Sequence, residues 1–258
     1  MIRGNCISKV AAFFVLASAV WAADSVLVVD RGLPQANLNN VSGTARSNVR
    51  WASDGESFLG DDFAIGAPGE KWVIDSIRTW AVPGMKTDPE HLGDFYQDVR
   101  LYFGQGSSSL TPLVSAALQA GSDETSSANV RISEATKASA VPYDDFGAAM
   151  RIWQIDFANL NLPVDGGVKY GFGVWGLGRA VPGNPDKGFE WFNHAANAEL
   201  SGVKQDGADG VMLSFDGSGK AQGSFSAQGN GWDKNSDINV QVFAHRVESA
   251  LASRAAAQ

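Results

Sequence analysis

Cysteine is nearly missing from this chain; Cys6 is the only one. Disulfides therefore cannot hold its fold, and a chain of 258 residues is long enough to bury a core without them. Catalytic signatures are missing as well. There is no G-x-S-x-G elbow and no H-E-x-x-H helix, and His91, His194 and His245 lie far apart in sequence. Beyond the first 22 residues no apolar run approaches the roughly 20 residues of a spanning helix. Basic residues are outnumbered 20 to 28, for a net charge of −8. A chain so acidic repels nucleic acid and anionic lipid, so no nucleic-acid partner is expected.

The first 22 residues read as a secretory signal peptide. Arg3 and Lys9 form a positive start, Val10 to Val20 a short apolar run, and Val20-Trp21-Ala22 a small-residue ending. Cleavage after Ala22 removes Cys6, Arg3 and Lys9, lowering the basic count from 20 to 18 against 28 acids. The expected mature protein is extracellular or periplasmic, free of cysteine, and not inserted in a membrane.

Glycine is abundant, at 29, and Asp-Gly or Asn-Gly pairs recur at Asp54, Asp165, Asp206, Asp209, Asp216 and Asn230. Such pairs favour tight turns because they tolerate positive φ. Between them lie short runs of period two. Trp153, Ile155 and Phe157 alternate with Gln154 and Asp156; Ile238, Val240 and Val242 alternate with Asn239 and Gln241. Tyr170, Phe172 and Val174 share a face, as do Val99, Leu101 and Phe103, and Val211, Leu213 and Phe215. Period two predicts strands with one wet face in antiparallel sheets. With no long amphipathic helix, the expectation is an all-β antiparallel sandwich, jelly-roll-like, over residues 23–244, with a barrel as the alternative. Residues 83–93 and 121–147 read as long loops, and residues 245–258 as an alanine-rich tail.

Gly171 to Gly176 matches G-x-G-x-x-G, but the prolines and glycines that follow prevent the helix a dinucleotide site needs. A strand with glycines packed under aromatic neighbours fits better. Gly219-Lys220 is followed by Ala221 where a phosphate loop needs Ser or Thr. Glu90, His91, Asp94 and Asp98 form a loose polar cluster that reads as a solvated loop. Asp61, Asp62, Asp206, Asp209, Asp233 and Asp237 are candidate calcium ligands, without the spacing of a defined calcium loop. Glu190, between Phe189 and Trp191, is the best candidate acid for a polysaccharide hydrolase, but no partner carboxylate can be assigned to it.

The segments "FLGDDFAIG", "WVIDSIRTW", "IWQIDFANLNLPVDGG", "WFNHAANAELSG" and "GNGWDKNSDINVQVFA" resemble secreted bacterial β-sandwich proteins of the "choice-of-anchor" type. The resemblance implies a secreted sandwich and carries no catalytic residues. The chain lacks the Pro-Glu-Pro motif and C-terminal apolar span of sorted members, which favours release over anchoring.

Three functions follow from these readings. The first is a non-catalytic module binding a glycan or extracellular matrix. Trp175, Trp191 and Trp232 lie near glycine-rich turns, and Asn193, His194 and Asp233 could bond sugar hydroxyls beside them. At least one of the three rings is then expected at the surface. The competing reading places these rings in the core. The second function is the hydrolase with Glu190, and the third a structural, self-associating protein.

Overall fold

The computed structural model describes residues 24–33, 49–52, 57–83, 90–106, 109–135, 142–143, 148–149, 151–194, 211–215, 221–225 and 237–247. The residues described are nearly all β, with no α-helix among them; one turn of 3₁₀ helix spans Leu92–Asp94. No helix among them is long and apolar enough to cross a membrane.

The first sheet runs in the order β1 (Val26–Asp30), β18 (Val240–Arg246), β4 (Lys71–Pro83), β10 (Trp153–Phe157) and β7 (Val130–Glu134). β4 is its spine. At 13 residues it is long enough to pair with β18 and β10 along its middle. Near its start it pairs with β11 (Leu162–Asp165), and near its end with β15 (Trp191–His194). β15 in turn pairs with β2 (Val49–Ala52). The second sheet closes on itself in the order β12 (Lys169–Trp175), β3 (Ser57–Ala64), β16 (Val211–Phe215), β17 (Ala221–Phe225), β6 (Ser109–Ala117) and β5 (Asp98–Gln105). Two small ribbons complete the set, β8 (Pro142–Tyr143) with β9 (Ala148–Ala149) and β13 (Ala180–Val181) with β14 (Asn184–Gly188). All these pairings are antiparallel.

The sheets pack face to face, as in the expected all-β sandwich. Trp153, Ile155, Phe157, Ile77, Val240 and Val242 of the first sheet and Phe58, Phe63, Leu101 and Phe172 of the second belong to one buried cluster. The inward faces of β10 and β18 are those the alternation predicts. G-x-G-x-x-G falls on β12 and the residue after it. A Cβ on Gly173 would lie 2.4 Å from the Phe58 ring and one on Gly176 2.6 Å from the Trp191 ring. These glycines are small because aromatic rings occupy the space beside them.

Two readings are corrected. Residues 121–147 are not one loop, because Val130–Glu134 forms β7 against β10 with unbroken register. Five alternating residues amid serine and alanine gave too short a signal. Asn239 and Gln241, expected on a wet face, are also buried, whereas Phe243 and His245 farther along β18 are partly exposed. In the stretch "GFEWFNHAAN", Gly188 to Asn197, the strand begins at Trp191 and runs to His194.

Candidate functional site

β15 carries three of the six proposed ligand residues, and all three are buried. Trp191 and His194 are 1% exposed and Asn193 is fully covered. The cause is cover on both faces of β15, since Trp191 and Asn193 point to one side and His194 to the other, while β2 and β4 pair with its two edges. The Trp191 ring meets Tyr96 edge-on with centroids 4.7 Å apart, and its indole N–H donates to Asn193 Oδ1 at 2.9 Å. His194 Nδ1 lies 2.6 Å from Asn239 Oδ1. The Asn239 amide nitrogen already donates to the carbonyls of Arg31 and Gly32, so its oxygen faces the imidazole, which must donate from Nδ1. Trp175 is 4% exposed, with the Arg100 guanidinium 5.1 Å from its ring centre. Trp175 and Trp191 are therefore packing residues and present no ring to a sugar. Trp232 and Asp233 lie outside the described residues, and the expectation of an exposed ring now rests on Trp232.

Three of the calcium candidates converge, but around a cation the chain supplies itself. Arg31, just after β1, is buried; its Nη1 lies 3.0 Å from Asp61 Oδ2 and its Nε 3.7 Å from Asp237 Oδ2. Its Nη2 donates to the Asp62 carbonyl at 2.5 Å. Asp61 also accepts the Ile238 N–H at 2.5 Å, and the Asp62 carboxylate faces Lys169 at 3.3 Å. The guanidinium thus takes the place among these oxygens that an ion would need. Asp206 and Asp209 lie outside the described residues. Among the described residues no group of three or more His, Cys, Asp or Glu is placed to hold a metal.

The loose cluster at 90–98 organises its own loops. Asp94 accepts the Gly121 N–H, Asp98 accepts the Leu177 N–H and pairs with Arg100, and His91 faces Asp123 at 3.3 Å. Glu190 is half-buried and its carbonyl accepts the Tyr96 hydroxyl at 2.6 Å.

The arrangement that can meet a ligand lies on the outward face of the first sheet. One row of cross-strand neighbours crosses all five strands: Asp30 is registered with Gln241, Gln241 with Arg78, Arg78 with Asp156, and Asp156 with Arg131. Arg78 Nε donates to Asp156 Oδ1 at 2.5 Å and Gln241 Nε2 to Asp30 Oδ1 at 3.2 Å; Gln154 Nε2 donates to Asp156 Oδ2 at 2.8 Å. Arg78 also lies over the Phe243 ring at 5.6 Å. Four interstrand steps of about 4.8 Å make the row about 19 Å long. Asp30 and Arg131 at its two ends are exposed, Arg78 and Asp156 are partly buried, and Gln241 between Asp30 and Arg78 is buried.

Sequence reasoning missed this row. Asp156 and Gln241 were visible as the polar members of their strands, but register across five strands is not written in any one of them. Comparison with family models, curated proteins and solved structures finds no match.

Proposed function

We propose that this chain is an exported, non-catalytic β-sandwich protein that binds an extended glycan or matrix polymer along the Asp30-Gln241-Arg78-Asp156-Arg131 row. The row carries the reading. It sets carboxylate, amide and guanidinium groups side by side, so donors and acceptors suited to hydroxyls alternate along a straight line. Phe243 beside Arg78 adds an apolar surface for the CH face of a sugar. Because Arg78, Asp156 and Gln154 already hold one another, little side-chain freedom would be lost on binding.

The test is a glycan array probed with the secreted protein and with Arg78→Ala, with and without a chelator. Loss of a charged hydrogen-bonding group is expected to weaken binding by about 1.5–3 kcal/mol, or about 10–100-fold. Undiminished binding by the variant would defeat the assignment to this row. Loss of binding in chelator would move the ligand to a metal-dependent site elsewhere.

A further inference from the structure

The last strand of the first sheet, β7, carries a second and separate opportunity. Asn129 C=O accepts the Ala158 N–H and Ile152 C=O accepts the Ala135 N–H. These contacts fix the phase of the β7–β10 ladder: 129, 131, 133 and 135 bond inward to β10, whereas 130, 132 and 134 turn their backbone groups outward. At Val130 the chain fills that outward position itself. The Val130 N–H donates to Ser127 C=O at 3.1 Å, and the Val130 C=O accepts the Thr125 hydroxyl at 2.6 Å. At Ile132 and Glu134 no donor or acceptor among the described residues does so. An open cleft of about 750 Å³ lies along this edge, lined by Val130, Arg131, Ile132 and His91 and by part of the 122–128 stretch.

We propose that the β7 edge is a docking site for an extended polypeptide of a partner protein, added antiparallel as a further strand. Two outward N–H and C=O pairs, two residues or about 6.8 Å apart, repeat at the spacing of a backbone ladder. The side chains specify the rest. Ile132, packed against the core, calls for an apolar residue opposite it. Exposed Arg131, on the outer face, calls for an acidic one, and Glu134, which faces Arg151 at 3.4 Å yet keeps 52% of its side chain exposed, can take a second basic one.

The probe is the capped peptide acetyl-Lys-Thr-Val-Asp-amide, which sets Lys, Val and Asp opposite Glu134, Ile132 and Arg131 and stops short of Val130. Titration into ¹⁵N-labelled full-length protein is expected to shift and saturate the Ile132 and Glu134 amides and to slow their hydrogen exchange. N-methylation of the Val facing Ile132 should abolish this, since it removes one rung and no side chain. Glu134→Pro removes an outward N–H without breaking a β10 bond, and should bind at least tenfold more weakly with a melting temperature changed by about 3 °C or less. If the variant unfolds instead, the N-methyl control and the exchange rates decide alone. Absence of a saturable shift at these two amides, or equal binding of the N-methyl peptide, overturns the proposal. So does the same shift produced by cellohexaose, or a dimer of the unliganded chain that Glu134→Pro dissolves; these would give the edge to a sugar or to a second copy.

Discussion

Arg31 and Asp61 form an ion pair of 3.0 Å with side chains only 4% and 1% exposed, which joins the end of β1 to β3. Asp237, just before β18, closes the same network from the far end of the sequence. Burying these charges is tolerable only because each offsets another. Arg31→Ala would leave Asp61 and Asp237 without their guanidinium and is expected to cost about 3–5 kcal/mol in denaturant unfolding. A loss below about 1 kcal/mol would mean that the network contributes little.

Trp191 should behave as a core residue and not as a ligand-binding one. Trp191→Ala is expected to lose about 3–5 kcal/mol of stability. Gly176→Ala tests the same packing from the other side, since its Cβ would meet the ring at 2.6 Å; overpacking there should cost about 1–3 kcal/mol. A glycan bound normally by the unmodified protein and lost by a fully stable Trp191→Ala would contradict this assignment.

Tyr96 predicts an alkaline limit. Burial, with the Glu190 carboxylate adding to it, pushes its hydroxyl well above the ordinary value of 10. The folded protein therefore keeps the proton while the unfolded chain releases it above pH 10. The stabilisation is complete below that value and declines by up to about 1.4 kcal/mol per pH unit as pH rises past it. Tyr96→Phe should be less stable at neutral pH, having lost the bond to the Glu190 carbonyl, and should show a shallower decline between pH 10 and 11.5. Parallel decline of both proteins would remove Tyr96 as the cause.

Glu70 predicts a weaker acid limit. The Ala67 N–H and then the Trp72 indole N–H hold its carboxyl below the ordinary value of 4.5, with Arg246 nearby. A lowered value means stability that is present above 4.5 and lost as pH falls below it. Between pH 6 and 3 the melting temperature of Glu70→Gln should fall less than that of the unmodified protein. An identical fall would show that protonation elsewhere sets the acid limit.

The sequence by itself determined the all-β class and the inward faces of β10 and β18. Alternation with period two places Trp153, Ile155 and Phe157, or Val240 and Val242, on one side of any strand whatever lies next to it. It also settled that Gly171 to Gly176 opens no helix, because the local chemistry of glycine and proline decides that. Which strand lies beside which was decided only by the tertiary structure. Asn193 and His194 look like the polar exit of a strand in one dimension, and are buried because the strand continues through them and both of its faces are covered. Asn239 looks solvent-facing in "DINVQVF" and is buried because it bonds residues more than 200 positions away. The row from Asp30 to Arg131 exists only through register, in which five strands each contribute one residue. Local propensity acts over a few residues, whereas ion pairs and cross-strand neighbours arise between segments brought together by burial of the core they share.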